Sequence, residues 1–207
     1  MTRGGNMVYG IFKRKKYEGK IGGIVEIEVL DKDGRVISRT REPMRSLTNN
    51  MAYWLDVFRL GSLYFRDVNG NSVSAINLGS ISEISALAPS GNDNYGILIG
   101  SSSTSFSIFQ YCLQAKYSNS QFAHGETTTP EVTQSPLYSC SYYQRSFTNM
   151  TSSTLPVREV GLFAKIVAGA STYYMMLTRD VISDRNVPAD GTLNVKIGIF
   201  INQAPPS

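Results

Sequence analysis

Apolar and polar residues alternate with a period of two over much of this chain. Val25, Ile27 and Val29 share one parity, and Glu26 and Glu28 share the other with Ile24, which is the pattern of a strand with one wet face. Asp31-Lys32-Asp33-Gly34 supplies turn chemistry, since glycine takes a positive φ at little cost. Arg35 to Thr40 then reads as the returning strand of a hairpin, closed by Pro43. The period changes once. Met51, Trp54, Leu55 and Phe58 fall at i, i+3, i+4 and i+7, so the spacing predicts one short amphipathic helix over about 47–60, capped by Ser46 or Thr48 and stopped by Gly61. Its apolar stripe reads as core packing.

Strand periodicity then resumes. Leu63 to Val68 and Val73 to Asn77 flank Asn69-Gly70, a pair suited to a type I′ hairpin turn. Ser80 to Asn94 reads as a loop, and the apolar run Tyr95 to Ile99 as a buried strand. Phe106 to Tyr117 fits either a short helix or a strand, and Ser118 to Pro136 reads as a polar, exposed excursion. Leu137 to Thr148, Val157 to Ile166, Thr172 to Leu177 and Leu193 to Ile201 complete the strands. Many short strands with one helix predict an all-β fold, an antiparallel β-sandwich of which a jelly roll is one form. The expected division is a basic arm over 1–20, one sandwich domain over 21–202 and a short tail over 203–207.

Composition changes this picture in two places. Charged residues make up 17% of the 207 residues, below the usual quarter, and Ser, Thr, Asn and Gly take their place, as suits strands and turns. The net charge of +4 is also uneven: Arg3, Lys13, Arg14, Lys15, Lys16 and Lys20 face only Glu18 in the first twenty residues, leaving the rest one charge negative. Such an arm can meet nucleic acid, an anionic membrane surface or an acidic face of a neighbouring subunit. Met1 to Gly10 holds no apolar core of the length a secretory signal needs, and no run approaches the ~18 apolar residues of a membrane span, so a soluble chain without a transmembrane segment is expected.

Candidate chemistry is sparse. Cys112 and Cys140 can pair or remain buried thiols, and with His124 as the only imidazole they make no zinc set. Any Ser-His-Asp or Cys-His site would need His124, whose ordinary reading is a turn histidine. Asp31-Lys32-Asp33-Gly34 starts like a calcium loop but lacks the later ligands, and Asn92-Asp93-Asn94 offers one carboxylate. No catalytic residue, cofactor or metal site is assigned, and the chain is expected not to be an enzyme. Asn149-Met150-Thr151 satisfies the N-glycosylation sequon, making Asn149 a candidate acceptor. Tyr138, Tyr142, Tyr143, Tyr173 and Tyr174 are candidate interface aromatics, because tyrosine joins a large apolar face to a polar tip.

Several motifs together carry a resemblance. Tyr95-Gly-Ile-Leu-Ile-Gly100, Gln110-Tyr-Cys-Leu113 with Ala123-His-Gly125, Arg145-Ser-Phe-Thr-Asn149, Arg158-Glu-Val-Gly-Leu162, Leu177-Thr-Arg-Asp-Val181 and Val187-Pro-Ala-Asp-Gly-Thr-Leu193 occur in that order, after a similar hairpin and a Ser46-Leu-Thr-Asn-Asn50 helix start. This series resembles a group of phage and archaeal-virus proteins taken as virion components, in capsids, vertices, spikes or tails. The chain departs from that pattern at Gln110, where an acidic residue is usual. The resemblance implies a virion structural protein, assembled in the host cytoplasm, that works as a homo-oligomer with other virion proteins. A receptor- or glycan-binding module on the particle is the alternative, with Ser80–Asn94 and Ser118–Pro136 as its surface, and a hydrolase is a distant third.

Overall fold

A computed structural model describes residues 19–44, 46–130, 132–135 and 138–203. The chain folds as an antiparallel β-sandwich with one short helix. β1 (Gly19–Leu30) and β2 (Val36–Met44) form the first hairpin, with Glu28 opposite Arg39 and Glu26 opposite Arg41. Val25, Ile27 and Val29 are buried, as their parity requires, while the outward rungs are cross-strand ion pairs. Lys20 already lies in β1, opposite Asn202. Arg3 and Lys13–Lys16 of the basic arm, and residues 204–207 of the tail, lie outside the described residues.

The helix α1 (Asn49–Leu60) stops at Gly61, which has φ 66°. Its expected caps act elsewhere. The Ser46 hydroxyl donates to Asp180 Oδ1 at 2.7 Å, and that of Thr48 donates to the carbonyls of Met176 and Leu177. Both residues pin the segment before the helix to a distant strand. Met51 is buried and Trp54 half-buried against the core, while the side chains of Leu55 and Phe58 lie outside the described ones.

β3 (Ser62–Arg66) and β4 (Ser72–Asn77) pair as expected, but through a different turn. Asn69 does not take the positive φ of type I′; Gly70 alone does, at 86°. The Asp67 carboxylate accepts from the amides of Asn69 and Asn71. Asp31 does the same for the amides of Asp33 and Arg35, with Gly34 at φ 79°. The two hairpins therefore share one device, Asp-x-Asx-Gly, in which a carboxylate replaces missing ladder partners and glycine supplies the left-handed position. Those bonds hold the Asp31 carboxyl below its usual pKa.

Two sheets face each other. In the first, β12 (Thr192–Gln203) lies between β1 and β9 (Tyr138–Asn149), and the far edge of β9 pairs with β7 (Phe122–His124) and β8 (Val132–Ser135). In the second, β10 (Leu155–Ala168) has β11 (Ser171–Val187) on one side and both β5 (Ile81–Ser85) and β6 (Gly96–Gly100) on the other. The stretches 80–94 and 118–136 thus hold strands where loops were expected. Phe106 to Tyr117 is neither helix nor strand.

The main core lies between the sheets. Ile27, Val195 and Phe147 meet Val160, Leu162, Ile166 and Met175 there. A second core covers the outer face of β10, where Ala88, Tyr95, Leu98, Leu113, Phe163 and Met176 pack together. β10 and β6 are therefore buried on both faces, which explains why residues 96–100 form an unbroken apolar run. Among the described residues no helix is long and apolar enough to cross a membrane.

Candidate functional site

The motifs that carry the resemblance meet one another in pairs. Arg179, from β11, donates its Nε to Glu159 Oε2 of β10 at 2.7 Å, and both side chains are fully buried. Glu159 also accepts from the amides of Gln114 and Ala115, and Arg179 donates to Gln110 Oε1 at 2.9 Å and to the Thr104 carbonyl. One buried ion pair thereby anchors both ends of the irregular segment 104–115.

Arg145 of β9 makes a second hub. It is 1% exposed and makes no ion pair with a carboxylate within 4 Å among the described residues. Its guanidinium instead donates to the carbonyls of Gly125, Tyr95, Ile97, Pro89 and Asn92. Burial draws its pKa down to about 10 against the opposing pull of the Asp93 carboxylate, so it stays cationic at neutral pH, held chiefly by carbonyl dipoles. This is the physical anchor of the segment 89–97.

Asn149 is a third. It is fully buried, and its Nδ2 donates to the carbonyls of Ser153, Val187 and Pro188, while Oδ1 accepts from Thr151. The sequon asparagine therefore closes the turns at one end of the sandwich and does not present its amide at the surface.

His124 is buried on β7, not placed in a turn. Its Nδ1 donates to the Phe122 carbonyl at 2.9 Å and its ring meets Phe147 edge-on, while Nε2 has no hydrogen-bond partner among the described residues. Burial, reinforced by the nearby Arg145 cation, lowers its pKa to about 4. Cys112 and Cys140 are both free thiols, and burial raises the pKa of Cys112. Neither cysteine adjoins the imidazole in any contact among the described residues. Within those residues, no group of three His, Cys, Asp or Glu side chains could hold a metal ion.

The tyrosines serve internal packing in large part. Tyr142 is buried over Gly198, with Lys196 above its ring. Tyr143 packs on the main core, Tyr173 meets Phe65 edge-on, and Tyr174 stacks on Tyr95. The side chain of Tyr138 lies outside the described ones.

An aromatic-lined groove is open elsewhere. Of about 350 Å³, it runs between α1, the β3–β4 hairpin and the segment 108–110. Tyr53, Tyr64, Ile108 and Phe109 line it, with exposures of 39%, 41%, 47% and 68%. Its walls are tied together: Asn49 N donates to the Ile108 carbonyl, Asn50 exchanges two hydrogen bonds with the backbone of Arg66, and Gln110 joins the buried ion pair. Sequence reasoning missed this site. Tyr53, Tyr64 and Phe109 come from three separate elements, and only the fold collects them. No protein-family model, characterised protein or solved structure matches the chain.

Proposed function

We propose that the chain is a virion structural subunit, a capsid, vertex, spike or tail component that acts by self-assembly and by contacts with other virion proteins. The observation that carries this reading is a division of labour between side chains. Those of the signature motifs are tied up in buried clamps that hold the sandwich rigid, and a tied, aromatic-lined groove is left open beside them. Exposed apolar patches of this kind mark contact surfaces. The arm bearing Arg3, Lys13, Arg14, Lys15, Lys16 and Lys20 adds a charged contact, to an acidic face of a neighbour or to nucleic acid.

The test is sedimentation of full-length protein and of a form lacking residues 1–18, at low and high salt, with a melting curve for each. The truncated form is expected to melt as the full chain does and to assemble less. Assembly through the arm should fall as salt rises, because exposed charges are screened over ~8 Å at physiological ionic strength. Equal assembly by both forms would remove the arm from the mechanism. Fractionated particles analysed by mass spectrometry would locate the chain.

A receptor- or glycan-binding role is the second reading. What favours it is the pairing of exposed Tyr53 and Tyr64 with the neighbouring Ser72 and Ser74 in the groove, since aromatic faces with nearby hydroxyls suit sugars. A glycan array separates the two readings.

A further inference from the structure

Residues 88–97 are laced to the end of β7 and to the chain that follows it. Gly91 N donates to the His124 carbonyl at 2.8 Å, the Ser90 hydroxyl donates to the same oxygen, and Thr127 N donates to the Ala88 carbonyl at 2.8 Å. Arg145 ties the same segment through the carbonyls of Pro89, Asn92, Tyr95 and Ile97. Lys116 adds a bond to the Asp93 carbonyl, and the Asn119 amide one to that of Gly91.

Within this lacing sits an imidazole with an unmet polar atom. His124 is 2% exposed and its Nε2 has no hydrogen-bond partner among the described residues; the buried Thr127 hydroxyl has none either. His124 and Arg145 pack on the same ring, the Phe147 centroid lying 5.1 Å from that of the imidazole and 5.6 Å from the guanidinium carbon. Three charges act on the imidazole: Arg145 from β9 and Lys116 from the chain before β7 oppose a proton there, and Asp93 of the tied segment favours one. A proton on Nε2 therefore enters a buried site with two cations against one carboxylate and no acceptor to receive it.

We propose that His124 is an acid-release latch, whose protonation frees residues 88–94 from the end of β7 and opens the second core around Ala88 and Tyr95 while the two sheets stay paired. This goes beyond the assembly reading and does not rest on it. In the closed form the imidazole takes up a proton only near pH 4, because burial and then Arg145 oppose it; in the open form, with the ring in water, it does so near 6.5. The open form thus binds the proton first. Its population rises as pH falls from 6.5 to 4, by about 100-fold relative to pH 7.

The experiment follows amide exchange of the full-length chain by NMR between pH 7 and pH 4, with rates corrected for the intrinsic effect of pH. Protection of the Gly91 and Thr127 amides is expected to fall about 100-fold over this range, while that of the β1–β12 ladder falls by less than about threefold. His124→Asn should hold the fall at Gly91 and Thr127 to less than about threefold. Asp93→Asn, which removes the carboxylate acting on the ring, should leave the fall in place. Because His124 is the only imidazole in the chain, its ring signals in the wild type also read the titration directly, whether or not the variants fold. Equal loss of protection across the chain, an unchanged fall in His124→Asn, its disappearance in Asp93→Asn, or an imidazole that titrates near 6.5 in the closed form would each overturn the latch.

Discussion

Glu159 and Arg179 sit diagonally across the β10–β11 ladder, each fully buried, with Nε and Oε2 2.7 Å apart. The pair tethers residues 104, 110, 114 and 115, and so positions one wall of the groove. Breaking it from one side leaves an uncompensated charge in the interior. Arg179→Met should therefore destabilise the chain by about 3–5 kcal/mol, and Glu159→Gln with Arg179→Met together by less than the single Arg change. Urea denaturation of the three variants checks this. A double variant less stable than Arg179→Met would mean that the charges do not act as a pair.

Arg145 predicts a local effect. Arg145→Met should release the carbonyls of Tyr95, Ile97, Pro89 and Asn92, at a cost of about 2–4 kcal/mol for the hydrogen bonds left unmade. Hydrogen exchange should accelerate first in 86–97 and at Gly125, before the β1–β12 ladder. Uniform acceleration across the chain would contradict a local anchor.

His124 predicts a pH dependence. Its pKa falls from 6.5 to about 4 on folding, so between those values the unfolded chain binds a proton that the folded chain does not. Stability then rises with pH across this window and is lost as pH drops from 6.5 towards 4. The loss is up to about 3 kcal/mol, at about 1.4 kcal/mol per unit. His124→Asn should flatten this part of the profile in denaturant titrations at pH 4, 5, 6 and 7. An equally steep profile in the variant would place the sensitivity elsewhere.

Asn149 predicts that closure of the sandwich end depends on its amide. Asn149→Ala leaves the carbonyls of Ser153, Val187 and Pro188 without their shared donor, and should cost about 2–4 kcal/mol. Thr151→Val, which removes the sequon but leaves that amide in place, should cost clearly less. Thermal melts of both variants distinguish structural use of the asparagine from service as a glycan acceptor.

Phe109 predicts the opposite behaviour. Being 68% exposed, Phe109→Ser should change stability by less than about 0.5 kcal/mol and yet alter self-association in sedimentation. Unchanged association would remove Phe109 from the contact surface.

What the sequence determined by itself was local. The parity of Val25, Ile27 and Val29, the run Leu193-Val195-Ile197 and the glycines at 34, 61 and 70 each report on their own neighbourhood, through alternation, apolar content or a left-handed backbone position. They sufficed for the sandwich, the hairpins and the helix. Tertiary structure decided the rest, because the deciding partners are far apart in the chain: Ser46 with Asp180, Arg145 with Tyr95, Glu159 with Arg179. Polarity alone marked His124, Asn149 and the segment 118–136 for the surface. Burial of their polar groups is tolerated where backbone carbonyls and amides lie within hydrogen-bond reach, and that proximity arises only when the sheets close on each other. The groove follows the same rule, since an exposed tyrosine reads in sequence just as a buried one does.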